Sequence, residues 1–289
     1  MTNTINTQKL LDNVATVSVN EAIIVNAKEF LKALKFVAVT TARTDSRPVL
    51  QYVHVEIHEN ELTVEATDSH ILAQQKVAAS ISDKLVGKEF LIDGKFAKNL
   101  SKATTKHGTH LFITPEFGKN NKPTGKVAIL DGNEETFIDD NSDNDTFTRF
   151  NALYPELDFL IPDNARFEFE TRKKELLPLL KALKEKTDTK GLYDVHLEIQ
   201  DNSKVVIGVG DDIQEIKHRN LFIGDKYKVE NNKGLNFEID FNVKLLISEL
   251  QKCENTEFLK FSFTGTLRPF TFTRENGGIG LVTPLRTFN

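Results

Sequence analysis

The chain has 289 residues, of which 39% are hydrophobic and 27% charged, and its formal net charge is −5. That length suits two domains. No apolar run approaches the ~20 residues of a membrane span. The acidic net charge argues weakly against a nucleic-acid partner. The single cysteine, Cys253, excludes an intrachain disulfide and fits a reducing cytoplasm. No catalytic signature surrounds it, so we interpret it as a packing residue at a helix end.

The first twenty residues are polar and lack the apolar core of a signal peptide, so 1–20 is predicted to be an N-terminal tail. Hydrophobic periodicity then predicts strands and helices in turn. In the first half these are a strand at 22–26, a helix at 27–41, a hairpin of strands at 49–57 and 61–66, a helix at 93–107 and a turn-rich connection at 118–125. Asp93 is the expected N-cap of the second helix.

The second half follows the same plan. Its predicted elements are a strand at 167–169, a helix ending near 186, a hairpin of strands at 194–199 and 204–209, a helix at 242–253 and strands at 258–263, 271–274 and 279–282. Because proline is tolerated only in a first helical turn, Pro178 suggests that the third helix starts near Leu176 or Leu177. Asn276-Gly277-Gly278 predicts a hairpin turn.

Between the halves, residues 131–148 are rich in acids. Their spacing loosely resembles a calcium loop, but the glycine at the sixth position and the glutamate at the twelfth are absent. We therefore interpret this segment as a solvated acidic loop. Asp211-Asp212, the most visible acid pair of the second half, is interpreted as a turn.

Short motifs occur twice in the same order. Residues 53–60 (VHVEIHEN) recur as 195–202 (VHLEIQDN), FLKALK at 30–35 resembles LLKALK at 179–184, and FLID at 90–93 resembles FEID at 237–240. A period near half the chain length predicts two tandem domains of one α+β fold, since solenoid repeats are far shorter. A chain with such internal symmetry can supply part of a ring.

Charge is distributed unevenly. The four predicted helices hold fifteen basic residues and five acidic ones, although the whole chain is acidic. Lysine on solvent faces explains part of this excess but not the scarcity of glutamate, an equally good helix former. We favour helices that face a polyanion and contact its backbone without reading bases. The residues expected to face DNA are Lys28, Lys32, Lys35, Lys95, Lys98, Lys102, Lys106, Arg172, Lys173, Lys181, Lys184 and Lys244.

Several stretches are similar to a known family. Residues 66–73 (ATDSHILA) resemble Ala-Thr-Asp-Gly-His-Arg-Leu-Ala of the bacterial sliding clamp, the beta subunit of DNA polymerase III, in its middle domain. The stretch from Tyr154 to Pro162 resembles the segment between that domain and the last one, and Ile239 to Asn255 and Val282 to Arg286 resemble the last domain. The matches run from about Arg47 to Arg286.

The resemblance implies a clamp-like domain at 21–162, a second at 163–289, and two basic helices on the inner face of a curved antiparallel sheet in each. Family chains have three domains and close a six-domain ring as dimers, so a two-domain chain implies a trimer. The resemblance also implies a pocket for short peptide motifs of polymerases and clamp loaders. Its residues would be Leu50, Thr67, His70, Leu72, Pro155, Leu160, Val282, Pro284, Leu285 and Arg286. Ser69, Ile71 and Thr283 replace a glycine, an arginine and a methionine of the family, so motif preference is expected to differ.

The leading hypothesis is a non-catalytic processivity factor, without metal or cofactor, that encircles double-stranded DNA in the cytoplasm. The alternative is a clamp-like module that binds partners without encircling DNA, which the missing third domain motivates. An enzyme is disfavoured, because the sequence has no Gly-rich phosphate loop, no His/Cys metal spacing and no nucleophile elbow.

Overall fold

The computed structural model describes residues 22–44, 47–102, 109–131, 136–141, 153–162, 164–187, 194–200, 203–224 and 237–285. Within them the chain forms an α+β fold of four α-helices and antiparallel sheets. The helices are α1 (Ala27–Val37), α2 (Gly94–Leu100), α3 (Lys173–Lys186) and α4 (Val243–Leu250). None of these helices combines the length and apolarity required to cross a membrane.

Strands make up most of the described residues. In the first half they are β1 (Ile23–Asn26), β2 (Tyr52–Ile57), β3 (Glu61–Thr67), β4 (Ile71–Ser80), β5 (Glu89–Asp93), β6 (His110–Phe117), β7 (Pro123–Asp131) and β8 (Thr136–Asp140). In the second half they are β9 (Phe167–Arg172), β10 (Asp194–Ile199), β11 (Val205–Val209), β12 (Asp212–Glu215), β13 (Arg219–Ile223), β14 (Phe237–Asn242), β15 (Phe258–Phe263), β16 (Phe270–Arg274) and β17 (Ile279–Val282).

The strands form two hydrogen-bonded sheets. The larger runs β13-β9-β15-β16-β17-β4-β1-β6-β7-β8, with β3, β2 and β5 branching from β4, and the smaller runs β12-β11-β10-β14. Every ladder is antiparallel. The pairing of β4 with β17 therefore joins the two halves in one sheet. The two halves have a similar order of elements, but four strands separate the helices of the first half and five separate those of the second.

The helices pack on the sheets through apolar faces. On α1, Phe30, Leu31, Leu34 and Val37 are buried, while the side chain of Asn26 caps the helix by accepting from the backbone N of Glu29. This helix contacts β3, β4 and α2, and α3 contacts β9, β11 and α4 in the same way. On α1, burial of this face leaves Lys28, Lys32 and Lys35 in solvent.

Local sequence chemistry sets several boundaries as predicted. The carboxylate of Asp93 caps α2 by accepting from the backbone N of Lys95 and Phe96, both at 2.9 Å. Gly277 has φ +81° in the turn between β16 and β17, a conformation that glycine adopts without strain. Cys253 is buried after α4, and burial raises the pKa of its thiol to about 12, so it packs rather than reacts.

Three helical boundaries differ from the predictions. Helix α3 starts at Lys173, and Pro178 lies inside it. Lys174 and Pro178 are exposed, so water can satisfy the Lys174 carbonyl that loses its partner. Pro48 begins a 3₁₀ turn, Pro48–Gln51, where a strand was expected. Helix α2 ends at Leu100, where the Ser101 hydroxyl donates to the Lys98 carbonyl, although the predicted helix extended to 107, partly outside the described residues.

The acidic segment was also predicted wrongly in part. Residues 136–140 form β8, which pairs with β7, whereas 132–135 and 142–148 lie outside the described residues. Asp139 is buried and accepts from the backbone N of Asp93 at 2.7 Å and from the Asn141 amide at 2.8 Å. Burial raises the pKa of the Asp139 carboxyl to about 6.

A buried polar network crosses between the halves. Thr40, just after α1, donates to Glu249 at 3.1 Å, and the Lys252 ammonium donates to Thr40 at 2.7 Å and to Glu249 at 2.5 Å. The side chains of Lys252 and Glu249 are 5% and 0% exposed. Burial lowers the pKa of Lys252 and raises that of Glu249. Each side chain therefore depends on the charge of the other to remain ionised in the core.

We expect Lys252→Met to lower the free energy of unfolding by about 3–5 kcal/mol, because it leaves the buried Glu249 carboxylate without its counter-ion. The matched control is Lys32→Met, which removes an exposed pair with Glu254 at 3.2 Å and should cost at most about 1 kcal/mol. Urea unfolding measures both. Equal unfolding midpoints for the two variants would contradict a stabilising role for the network.

Candidate functional site

The contact between the halves brings three separate segments together. In the β4–β17 ladder, Ile71 lies opposite Val282 and Leu72 opposite Leu281. Beyond β17, Thr283 N donates to the His70 carbonyl at 3.0 Å and Leu285 N to the Asp240 carbonyl at 2.8 Å. The C-terminal residues of the described chain are thus fixed beside the turn between β3 and β4.

That turn is built by side chains of residues 66–73. The Asp68 carboxylate accepts from the backbone N of His70 and of Ile71, both at 2.9 Å, and the Thr67 hydroxyl donates to the Ile71 carbonyl at 2.7 Å. Ser69 has φ +80°, so it takes the conformation that favours glycine.

A small apolar cluster underlies this turn, and we call it the junction cluster. It is composed of Leu50, Tyr52, Leu72, Leu91, Tyr154, Leu157 and Leu281. Residues 153–162, which we call the linker, contribute Tyr154 and Leu157, and the half-buried Leu160 and Ile161 pack against the cluster. Side chains from both halves and from the linker therefore share one apolar patch.

The predicted pocket residues converge here but differ in exposure. Leu50, Thr67, Leu72 and Val282 are buried; Leu160, Pro284 and Leu285 are half-buried; His70 and Pro155 are exposed; Arg286 lies outside the described residues. The buried residues support the wall, and the half-buried and exposed ones remain accessible to a ligand.

Next to this patch lies a recess of about 780 Å³. It opens between the loop after α1, the β3–β4 turn and the first turns of α4, and it shares Leu50 and His70 with the predicted pocket. Its lining residues are Val39, Thr41, Ala42, Arg43, Thr44, Arg47, Leu50, Asp68, Ser69, His70, Ile71, Lys244, Leu245 and Ser248.

The recess combines apolar wall with positive charge. Among the described lining residues, Arg43, Arg47 and Lys244 accompany one acid, Asp68, whose carboxylate already binds the turn. The Arg47 guanidinium donates to the Ser69 hydroxyl at 3.3 Å. Sequence reasoning missed Arg43 and Leu245, because their neighbours in the recess come from distant parts of the chain. The recess suits a peptide that carries both apolar and acidic side chains.

The lysines predicted to face DNA fall into two groups. Lys28, Lys32 and Lys35 are exposed at positions i, i+4 and i+7 of α1, opposite its buried face. Lys95 and Lys181 are exposed in the same way, and these five side chains form the exposed lysine set. Lys102 is exposed just beyond the end of α2, and Lys184 is half-buried beside Glu185, at 3.6 Å. Lys106 lies outside the described residues.

Other basic residues have different contacts. Lys173 is buried and donates to the carbonyls of Cys253 and Gln251, so its ammonium is withdrawn from solvent. Arg172 ends β9 and lies over the Phe258 ring at 4.5 Å, on the sheet face opposite the buried Thr171. The half-buried Lys98 donates to the Thr41 hydroxyl at 3.2 Å, and burial lowers its pKa. Lys244 lines the recess.

Comparison with known proteins agrees with this geometry. Residues 24–134 match the family model of the DNA polymerase III beta subunit, central domain. The beta sliding clamp of Staphylococcus aureus is 26% identical over 277 residues, which cover 94% of this chain and 66% of that protein. A clamp of Staphylococcus epidermidis is 24% identical over the same span. The chain thus spans slightly less than two thirds of the length of these relatives.

Solved structures show the same fold. The DNA polymerase sliding clamp of Bacillus subtilis superimposes with a TM-score of 0.73 at 21% identity, over 93% of this chain and 65% of that chain. The beta subunit from Streptococcus pyogenes gives 0.71 at 19% identity, over 95% and 70%. In sequence and in fold, this chain is therefore similar to the bacterial sliding clamps, the beta subunits of DNA polymerase III, including their central domain.

Proposed function

We propose that the chain is a non-catalytic sliding clamp that encircles duplex DNA and binds short peptide motifs of replication proteins in the cytoplasm. The observation that carries this proposal is the exposed lysine set, on helices whose opposite faces are buried in a clamp fold. The sequence offers no catalytic constellation, and catalysis is not needed for such a role. The chain would act by holding a polymerase on its template.

Electrostatics supplies the mechanism. The 11 residues of α1 span about 16 Å, alongside about nine phosphate charges of B-DNA. Lysine ammonium groups bind phosphates as point charges, and every phosphate of the duplex offers the same contact. A ring lined by such lysines would stay on DNA without preferring one position, so it would slide.

Ring closure would need three copies of a two-domain chain. The internal β4–β17 ladder offers a pattern for contact between copies. Strand β8 is the last strand of the first half, as β17 is of the second. Strand β12 follows β11 in the second half, as β4 follows β3 in the first. Within the described residues, β8 and β12 each pair on one side only. Antiparallel pairing of β8 with β12 of a second copy would continue both sheets. Both edges carry acids, so this contact would be weaker than the internal one.

The peptide site would combine the accessible part of the predicted pocket with the recess. Leu160 and Leu285 would bury an apolar anchor, at roughly 25 cal/mol per Å² of apolar area. Arg43, Arg47 and Lys244 would pair with an acidic side chain of the same peptide. The preferred partner is therefore a peptide with an apolar anchor followed or preceded by an acid.

Replacing Lys28, Lys35 and Lys181 by glutamate should sharply reduce retention on circular DNA. Each lost phosphate contact should lower the slope of log affinity against log salt by about 0.9. Filter retention of circular and linear DNA measures the effect. The control is Lys260→Glu. Lys260 lies on the sheet, where it pairs with Glu168 at 2.8 Å, so this variant should leave retention intact. Unchanged retention in the triple variant would exclude these helices as the DNA-binding surface.

Leu160→Asp and Leu285→Asp should each weaken binding of a peptide with one apolar anchor and an adjacent acid at least tenfold, because a carboxylate in the apolar wall must be desolvated. Fluorescence anisotropy with a labelled synthetic peptide measures the affinity. Val86→Asp is the matched control, because Val86 is exposed and lies far from the pocket. Its neighbour Gly87 donates its backbone N–H to the Ile57 carbonyl, at the end of β2 opposite the pocket. Wild-type affinity in both wall variants would place the peptide elsewhere.

Light scattering across a concentration series should give a mass near three times 32.6 kDa. Higher salt should favour this trimer, because it screens the acids of β8 and β12. A persistent monomer that still binds the peptide would instead support a partner-binding module that does not encircle DNA.

A further inference from the structure

The linker covers the junction cluster from outside, yet its backbone forms few hydrogen bonds with the sheet. Within the described residues its main-chain hydrogen bonds, Leu160 N to the Leu157 carbonyl and Ile161 N to the Asp158 carbonyl, join the linker only to itself. Side chains make the connection to the sheet. The Tyr154 hydroxyl accepts from Thr67 N at 3.1 Å, and the Gln74 amide donates to the Asp158 carboxylate at 3.2 Å.

A buried histidine lies directly beneath this connection. The His54 side chain, on β2, is 3% exposed, and its ring stacks on Tyr154 with centroids 4.6 Å apart and planes inclined by 17°. Its Nδ1 lies 2.9 Å from Glu65, and its Nε2 lies 2.9 Å from Glu89. Because both ring nitrogens meet carboxylates, the ring is a doubly donating imidazolium.

The electrostatics agree with that protonation state. Burial disfavours the charged ring, but hydrogen bonds and the charges of Glu65 and Glu89 outweigh burial and raise the pKa of His54 to about 9. An imidazolium over a tyrosine face is also an attractive pair. The Gln74 amide donates both to Glu65, at 3.0 Å, and to Asp158, so the linker contact through Asp158 and the His54 ring meet at the Glu65 carboxylate.

A metal site is the competing interpretation of this cluster. Ligand atoms of His54, Glu56 and Glu65 lie within 4.8 Å of one another. A metal ion would need one neutral ring nitrogen with a free lone pair, whereas both nitrogens of His54 are already bonded to carboxylates. The cluster is therefore an ion-pair network.

We propose that His54 is a positioning residue for the peptide site: its ion pairs with Glu65 and Glu89 hold the ring under Tyr154, and Tyr154 fixes the linker that carries the pocket wall. This inference rests on the proposed peptide-binding function. Pro155 is the next residue after Tyr154, and Leu160 lies later in the same linker and packs against the junction cluster, so loss of the stack would displace both. Peptide affinity should then depend on the charge of His54.

The direction of the pH effect follows from linkage. The pKa of His54 is raised in the folded protein, so its stabilisation is fully present below the ordinary value near 6.5 and is lost as pH rises through about 9. The titratable groups that face the ring are Glu56 on β2, Glu65 on β3, Glu89 on β5, and Tyr154 and Asp158 on the linker. Burial raises the pKa of Glu56 and of Tyr154, so Tyr154 stays protonated while His54 titrates.

The test is peptide affinity from about pH 7 to about pH 10, with an N-acetylated peptide that has no Lys, Cys, His or Tyr. Wild-type affinity should be constant at first and fall about tenfold with a midpoint near pH 9. Glu89→Gln, at a side chain 45% exposed, removes one partner of the ring and should move this midpoint to lower pH. Glu61→Gln, which removes an exposed pair with Lys76 at 2.7 Å, should leave it in place.

A purely structural role for Glu89 would change the affinity but not the midpoint. A flat wild-type profile, or equal midpoints for the wild type and Glu89→Gln, would overturn the proposal. Hydrogen exchange of the linker amides provides a readout that needs no peptide: His54→Gln should increase exchange in 153–162 at least tenfold and leave β15 unchanged. If the wild type binds no peptide, the peptide-binding function fails, and this exchange result alone decides whether His54 holds the linker.

Discussion

Four residues of β4 pair with four residues of β17, and through this ladder two halves of the chain share one sheet. Leu72 and Leu281 lie opposite each other in it, and burial of each contributes roughly 1.5–3 kcal/mol. The ladder also fixes the positions of the β3–β4 turn, the linker and the residues up to Leu285. The junction cluster, the recess and the predicted pocket therefore all depend on one strand pairing between distant segments.

Burial separates the charges of this chain into two kinds. Lys252 with Glu249, Arg274 with Glu257 and His54 with Glu65 are buried pairs. The first reaches the other half of the chain through Thr40, and the last joins β2 to β3. The exposed lysine set lies outside the core on helices, where an ammonium can exchange water for phosphate at little cost. Structural roles and the proposed nucleic-acid role thus fall to different basic residues, and solvent exposure, not residue type, distinguishes them.

Local chemistry explains which features the sequence reveals. The Asp93 cap and the Asn276-Gly277-Gly278 turn depend on neighbouring residues, and both are confirmed. Strand β4 has no clean alternation, because its Gln74 and Gln75 are buried and Gln74 bonds Glu65 and Asp158 from other segments.

Tertiary contacts explain the rest. Lys173 looks like any helical lysine, and only the carbonyls that end α4 make it a buried donor. The pocket residues were predicted by resemblance to a family, and periodicity alone would not have joined Leu50 to Leu285. The two repeated histidines show the same limit. His196 pairs with Asp240 at 2.7 Å but stays 43% exposed, whereas the linker buries His54 between two acids and Tyr154. The same motif thus gives a partly exposed ion pair at His196 and a buried ion-pair network at His54, because the linker covers only the motif of the first half.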